Sequence, residues 1–159
     1  RDPDGDKLSY TWNFGDGTTT EGCSRVSHVY TEGGTYNVSV TVDDGQDSPC
    51  SGASDSIRVN VNTPPDAMMN ITKACCVDME QKFSATSSKD PDGDTLSYFW
   101  DFGDGQTANG ANVTHTYTEP GNYKVFLKVD DGSGTECSAA YATEFIKVNA
   151  KPVPVIKIR

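Results

Sequence analysis

Apolar and polar side chains alternate along several short stretches of the chain, and the same stretches occur twice. The clearest examples are residues 36–42 and 123–129, in which every second residue is apolar or aromatic. A repeat of two residues places successive side chains on opposite faces of an extended strand. The pattern therefore predicts strands that each have one buried face.

A second repeated stretch is rich in aromatic residues and ends in a turn. Residues 8–17 and 96–105 share the pattern Leu-Ser-Tyr-x-Trp-x-Phe-Gly-Asp-Gly. Tyr98, Trp100 and Phe102 lie two residues apart, so a strand directs all three towards one core. The Gly-Asp-Gly sequence that follows is typical of a tight turn.

The remaining stretches complete two copies of one all-β unit. Each copy closes with a predicted strand, at residues 57–61 and 145–149, and no long stretch has the 3.6-residue periodicity of a helix. Turn residues recur between the strands at short intervals. The sequence therefore predicts two antiparallel β-sandwiches in tandem.

The two copies differ at their beginning. Residues 66–88 precede the aromatic strand of the second copy and contain alternating apolar positions, whereas the first copy starts at its acidic turn. We therefore predict a first domain at residues 1–62 that lacks its opening strands, and a second domain at residues 63–150. Residues 151–159 are predicted to be the opening strand of a following or neighbouring unit. The apolar residues of this assembly strand are Val153, Val155, Ile156 and Ile158.

Composition narrows the classes of function. The net charge is −10 and the pI about 4.4, which argues against nucleic acid as a partner because phosphates attract Lys and Arg. No apolar run is long enough to insert into a membrane. Five Cys residues and repeated Asn-x-Ser/Thr sequons favour an extracellular location, secreted or on the cell surface. The sequon asparagines, which are candidates for glycosylation, are Asn37, Asn70 and Asn112.

The cysteines are candidates for disulfide bonds. Cys50 and Cys137 occupy matching positions in the two copies. We predict that Cys137 pairs with Cys75 or Cys76, and that Cys50 pairs with Cys23 or with a cysteine in the missing opening strands. A bond from one of the two neighbouring cysteines to another subunit is the alternative.

Four motifs resemble those of the polycystic kidney disease (PKD) domain family. They are Trp-Asp-Phe-Gly-Asp-Gly, His-x-Tyr, Pro-Gly-x-Tyr-x-Val and Val-Asp-Asp-Gly, and the resemblance covers nearly the whole chain as two copies. The first copy departs from it at Asn13, which replaces Asp, and at Gly33, which replaces Pro. The resemblance implies an immunoglobulin-like β-sandwich that is not catalytic and serves as a spacer, adhesion or substrate-contact module.

The same resemblance implies calcium sites at the Asp-rich turns. In the second copy the implied ligands, together with backbone oxygens near the Pro64-Pro65 linker, are Asp90, Asp92 and Asp131. In the first copy they are Asp2, Asp4 and Asp44. Converging carboxylates repel one another, and a hard cation with oxygen ligands relieves that repulsion. The alternative is that these aspartates only form Asx turns.

These observations leave two main hypotheses for function. The first is an extracellular structural module that builds a fibre or array by head-to-tail assembly with itself, in which the assembly strand completes the first unit of the next copy. The second is an accessory module of a secreted hydrolase or surface-layer protein that binds a polysaccharide or protein surface. Phe99 and Phe126 are predicted to be its only outward-facing aromatic residues. A passive spacer is a third reading.

We expect no enzymatic activity. Nothing in the sequence marks a pair of carboxylates that face each other across a cleft, as a glycosidase would need. Asp16 and Asp104 are predicted to be turn formers. His28 and His115 precede core tyrosines by two positions and are predicted to be structural.

Overall fold

The computed structural model describes residues 5–46, 51–152 and 154. The chain divides after Asn62 into two compact units, which we call unit 1 (Arg1–Asn62) and unit 2 (Thr63–Arg159). The described residues form twelve strands and no helix. That part of the chain therefore contains no helix long and apolar enough to cross a membrane.

Unit 1 contains one antiparallel sheet. Its strands are β1 (Ser9–Asn13), β2 (Thr19–Glu21), β3 (Gly34–Asp43) and β4 (Gly52–Val61). They lie in the order β2-β1-β3-β4, and Trp12 is opposite Val40. Among the described residues of unit 1 no second sheet faces this one.

Unit 2 is a sandwich of two sheets. Its strands are β5 (Asn70–Ile71), β6 (Ala74–Cys76), β7 (Glu80–Ser84), β8 (Ser97–Asp101), β9 (Thr107–Asn109), β10 (Asn112–Thr116), β11 (Gly121–Asp130) and β12 (Ala139–Asn149). One sheet has the order β10-β7-β5 and the other the order β6-β12-β11-β8-β9. The predicted antiparallel sandwich is confirmed, with one parallel pair among the described strands, where β6 joins the sheet edge alongside β12.

The aromatic strand supplies the core of unit 2, as predicted. Trp100 is fully buried and Phe102 almost so, and β11 contributes a row of buried apolar residues to the same core. Phe83 of β7 packs on them from the opposite sheet, with its ring centroid 5.8 Å from that of Trp100. Removal of this apolar surface from water is the main force that holds the two sheets together.

Unit 1 has the same aromatic strand but a less complete core. Trp12 is half-buried, whereas its counterpart Trp100 is fully buried. Ile57, which lies opposite Val38, is 66% exposed. In unit 2 the sheet β10-β7-β5 covers the corresponding face. The described residues of unit 1 supply no such cover, so its apolar face is open.

The sheet of unit 1 and the larger sheet of unit 2 share one register. Trp12 is opposite Val40, and Trp100 is opposite Leu127. The order β2-β1-β3-β4 corresponds to β9-β8-β11-β12. Each side chain on the outer face of one sheet therefore has a counterpart on the other.

Candidate functional site

The acidic turn of unit 2 brings three carboxylates together. Asp90, Asp92 and Asp94 each offer an oxygen atom, and these atoms lie within 4.8 Å of one another. Oδ1 of Asp90 accepts the backbone N–H groups of Asp92 at 2.8 Å and Asp94 at 3.1 Å. Oδ2 of Asp92 accepts the N–H of Thr63 at 2.6 Å. The Asx-turn bonds of the alternative reading are thus present and fix the shape of the turn.

One carboxylate oxygen of this cluster has no hydrogen-bond partner. Oδ2 of Asp90 is buried and has no hydrogen-bond partner. A buried carboxylate oxygen without a partner is costly, and a cation bound to it would remove the cost. Three carboxylates are hard oxygen donors of the kind that calcium takes, so the residues present fit that ion.

The three mutually close carboxylates overlap only in part with the predicted ligand set. They include Asp90, Asp92 and the unpredicted Asp94, whereas the predicted ligand Asp131 is not one of the three. Asp131 is buried, and its Oδ1 accepts the N–H of Ser133 at 2.7 Å. The sequence contained the signal for Asp94, which is the third aspartate of Asp-Pro-Asp-Gly-Asp.

In unit 1 the predicted calcium set is only partly described. Asp2 and Asp4 lie outside the described residues. Oδ1 of Asp44 accepts the N–H of Gln46 at 2.9 Å, and the Gln46 side chain reaches Oδ2 of Asp6 at 3.5 Å. The site in unit 1 stays a prediction.

The aspartate of each Gly-Asp-Gly turn contacts a histidine side chain. Nε2 of His115 lies 2.7 Å from Oδ2 of Asp104, and its ring stacks on Phe102 with centroids 4.2 Å apart. Unit 1 repeats the arrangement with His28, Asp16 and Phe14. These contacts agree with a structural role for both histidines. The pairing of each turn aspartate with a histidine was not predicted, because the partners are distant in sequence.

Two titrating groups near these stacks have shifted pKa values. The pKa of Asp16 is lowered to about 2. Hydrogen bonds from the hydroxyl and the backbone N–H of Thr18 are the main cause, and His28 adds to them, while partial burial acts in the opposite direction. Burial raises the pKa of Tyr117, with a smaller contribution from the charge of Asp104. Tyr117 donates its hydroxyl hydrogen to the backbone oxygen of Phe102 at 3.0 Å.

The predicted disulfide between Cys137 and Cys75 or Cys76 is wrong. The register places Cys75 opposite Val148 and Cys76 opposite Asn149, at the end of β12. Cys137 precedes the start of β12, so roughly 30 Å of extended strand separates it from them. A disulfide needs Cα atoms less than about 7 Å apart. Cys75, Cys76 and Cys23 are free thiols in this structure, and Cys50 lies outside the described residues.

The predicted glycosylation sites are all exposed on strands. Asn37 lies on β3, Asn70 on β5 and Asn112 on β10. Asn70 and Asn112 both lie opposite Ser84 of β7 and line one groove on the outer side of the smaller sheet. Their glycosylation stays a prediction. The apolar residues of the assembly strand, Val153, Val155, Ile156 and Ile158, lie outside the described residues.

The outer face of the five-stranded sheet has four aromatic side chains, which we call the aromatic face: Phe99, Phe126, Tyr141 and Phe145. Tyr141 and Phe145 are 61% and 63% exposed, and Phe99 is 38% exposed. Phe126 is half-buried and stacks on Tyr141 with ring centroids 5.6 Å apart. The prediction of only two outward aromatic residues is wrong. Tyr141 was missed because β12 begins before the predicted strand. Phe145 lay within the predicted strand, and the register places it opposite Lys124 on the outer face.

The register makes these four residues one patch. Phe99 and Tyr141 both lie opposite Lys128, and Phe145 lies opposite Lys124. Phe126 occupies the position between these two lysines on β11. Each of the other rings is therefore a diagonal neighbour of Phe126, with Cα atoms about 8 Å away by the spacing of strands and residues in a sheet.

Unit 1 shows that the fold does not require this patch. The counterparts of Phe99, Phe126, Tyr141 and Phe145 in the shared register are Thr11, Ser39, Ser54 and Arg58. None of them is aromatic, yet the same four strands pair in the same order. The aromatic face is thus a property of unit 2 alone.

The strand order, the tryptophan-centred strand and the Gly-Asp-Gly turn, present twice, define a tandem pair of immunoglobulin-like β-sandwich modules. The family model of the PKD domain matches residues 1–59 and 62–146. The chain belongs to the PKD domain family, as its motifs predicted.

Relatives with this similarity are much longer proteins. Collagenase ColA of Clostridium perfringens is 41% identical over 101 residues, which cover 62% of this chain and 9% of the relative. Pre-pro-metalloprotease PrtV of Vibrio cholerae is 41% identical over 69 residues, which cover 43% of this chain and 8% of the relative. The chain thus spans less than a tenth of the length of either protein.

A solved structure with a similar fold is described as one of the carbohydrate-binding modules of the β-sandwich superfamily. It is 33% identical, with a TM-score of 0.51, and the match covers 56% of this chain and 36% of that one. The match is consistent with the β-sandwich architecture found here.

Proposed function

We propose that this chain is a non-catalytic accessory module of an extracellular protein and that it holds a polymeric substrate on the aromatic face of unit 2. The observation that carries the proposal is the exposure of these rings on one sheet, together with polar residues at the same positions of unit 1. Exposed aromatic surface on one side of a module commonly marks a binding site. Aromatic residues are also frequent anchors in binding surfaces.

The relatives support a polymer as the substrate. One is named a collagenase and one a metalloprotease, and a similar structure is described as a carbohydrate-binding module. Because collagen is an extracellular matrix protein, the collagenase relative also supports an extracellular location. An accessory module would keep an attached enzyme near an insoluble substrate and raise its effective concentration there.

Adsorption to insoluble polymers tests this function. The chain is incubated with cellulose, chitin and fibrous collagen, and the unbound fraction is measured. We expect binding to at least one polymer, and a loss of about tenfold or more in affinity when Phe126→Ser and Tyr141→Ser are combined. The matched control, Thr11→Ala with Ser39→Ala on the same face of unit 1, is expected to bind normally. Equal binding by the face variant and the unchanged chain would contradict the proposal.

Head-to-tail assembly is the second candidate, and the open apolar face of unit 1 favours it. Half-buried Trp12 and exposed Ile57 lie on the side that a second sheet covers in unit 2. A strand supplied by another copy would bury this surface and complete the sandwich. Sedimentation over a hundredfold range of concentration tests it. Growth into long species with a blue shift of Trp12 emission is expected, and a monomer at every concentration would contradict it.

We also propose that the acidic turn of unit 2 binds calcium through Asp90, Asp92 and Asp94. The unpartnered oxygen of Asp90 and the short distances in the cluster support this. A bound calcium ion would offset two of the three negative charges, while Asp92 accepts the N–H of Thr63. We expect calcium to raise the melting temperature of unit 2 and Asp94→Asn to weaken this effect. The exposed Asp78→Asn serves as the control, and an unchanged melting temperature in millimolar calcium would contradict the site.

A further inference from the structure

We propose that the aromatic face selects a polysaccharide with anionic groups, either carboxylates or sulfates, over a neutral one. This inference rests on the proposed binding function of unit 2. Its basis is the placement of lysines among the aromatic rings.

Three lysines point outward from β11 and β12, two of the three strands that hold the aromatic residues. Lys124 and Lys128 flank Phe126 on β11, and Lys147 follows Phe145 by two positions on β12. Residues two apart on a strand are separated by about 7 Å, so each cation lies next to a ring. The face thus alternates groups that contact a sugar ring with groups that attract an anion.

Acidic residues on the same face balance only part of the positive charge of the three lysines. Nζ of Lys128 forms an ion pair with Oδ2 of Asp130 at 2.8 Å, which raises the pKa of the lysine. For Lys124 and Lys147 no ion pair is found among the described residues. Asp101 is the other acidic side chain on the outer face of β8 and β11. The face therefore has a small positive charge.

This local charge is unusual for the chain. The net charge is −10, which repels acidic polymers at long range. In the shared register the counterparts of Lys124, Lys128 and Lys147 in unit 1 are Asn37, Thr41 and Asn60. The aromatic and the cationic residues therefore differ together between the two units, and the change is confined to one face.

The surroundings of the rings suit a sugar chain. Thr107, Asn109 and Thr143 lie on the outer face beside the aromatic residues and offer hydroxyl and amide groups. A groove lined in part by Phe99, Asn109 and Lys128 extends the face towards β9. Rings contact the apolar faces of sugars, hydroxyl and amide groups bond to sugar hydroxyls, and lysines pair with carboxylates or sulfates.

Binding of the full chain to soluble polymers tests the selectivity. Polygalacturonate supplies carboxylates, heparin supplies sulfates, and hydroxyethyl cellulose is the neutral polymer. We expect affinity for at least one acidic polymer to exceed that for the neutral one by tenfold or more at 20 mM salt. The excess should fall steeply at 300 mM salt, because salt screens surface charges. The two acidic polymers distinguish carboxylate from sulfate recognition.

Three variants separate this inference from the proposed function. Lys124→Gln with Lys147→Gln is expected to remove the acidic preference and keep the neutral affinity. Lys82→Gln, on the smaller sheet, is the control for loss of a lysine outside the aromatic face and should change neither. Phe126→Ser should weaken binding to every polymer, and its failure to do so would overturn the proposed function as well.

The following outcomes would overturn the inference alone. One is equal affinity for acidic and neutral polymers, with Phe126→Ser still weakening both. Another is a preference for acidic polymers that survives the double lysine replacement. Equally tight binding of poly-glutamate would show that the face recognises charge without a sugar chain.

Discussion

The tyrosine that follows each histidine makes the same hydrogen bond in both units, but its surroundings differ. Tyr117 donates to the backbone oxygen of Phe102 at 3.0 Å in a fully buried position. Tyr30 donates to the oxygen of Phe14 at 2.9 Å and is half-buried. Replacing each tyrosine by phenylalanine removes one hydroxyl and leaves the ring in place. The pair of variants therefore measures how closed each unit is.

The expected cost follows from what replaces the lost bond. In Tyr117→Phe the oxygen of Phe102 stays buried without this donor, which costs about 2 kcal/mol of unfolding free energy. In Tyr30→Phe water reaches the oxygen of Phe14, so we expect a cost of about 0.5 kcal/mol. For a unit of this size, 2 kcal/mol lowers the melting temperature by roughly 10 °C.

Urea unfolding followed by amide NMR is the suitable assay, because signals from the two units are separate and each gives its own transition. Unit 2 is expected to lose about four times as much stability as unit 1 from the same chemical change. Equal costs in the two units would show that the core of unit 1 excludes water as well as that of unit 2, and would contradict this prediction.

Three other changes have expected results. Gly103→Ala should destabilise unit 2 by several kcal/mol, because the φ of Gly103 is +81° and an added Cβ would lie 2.5 Å from a backbone oxygen of β11. Gly105 has a φ of +87° and open space around it, so Gly105→Ala should cost only about 1 kcal/mol in the same urea assay. The lowered pKa of Asp16 means that its charged form favours the folded state. Its contribution to the stability of unit 1 is therefore present above about pH 4 and lost as the pH falls towards 2. In Asp16→Asn the stability of unit 1 should change less between these two pH values. The raised pKa of Tyr117 means that its neutral form favours the folded state, so the stability of unit 2 should fall as the pH rises above 10. In an alkaline titration Tyr117→Phe should remove the part of this fall that comes from Tyr117.

The fold was predictable because its signals are local. Two-residue alternation and the aromatic strand located β8 and β11, and the duplicated pattern located their counterparts in unit 1. The parallel pairing of β6 was not predictable, because nothing within three residues shows which edge a short strand will join. The same limitation explains the wrong disulfide, since the distance between Cys137 and Cys75 depends on the direction of β6 along β12.

The candidate sites were predictable only in part. The acidic turn was found from its sequence, but the choice between Asp94 and Asp131 depends on how the chain folds back. Two of the four residues of the aromatic face, Phe99 and Phe126, were predicted from the sequence pattern. Tyr141 was not, because the pattern placed the start of β12 after it. Sequence spacing also gave no register for β12 against β11, which is what brings its rings beside Phe126.

The most direct test of the binding face is an NMR titration of the full chain with a soluble acidic oligosaccharide, such as an oligogalacturonate. We expect the largest shifts of amide and aromatic signals at Phe99, Phe126, Tyr141 and Phe145 of unit 2, with little change at Ser39 and Ser54 of unit 1. Shifts concentrated on unit 1, or on the smaller sheet around Ser84, would contradict it.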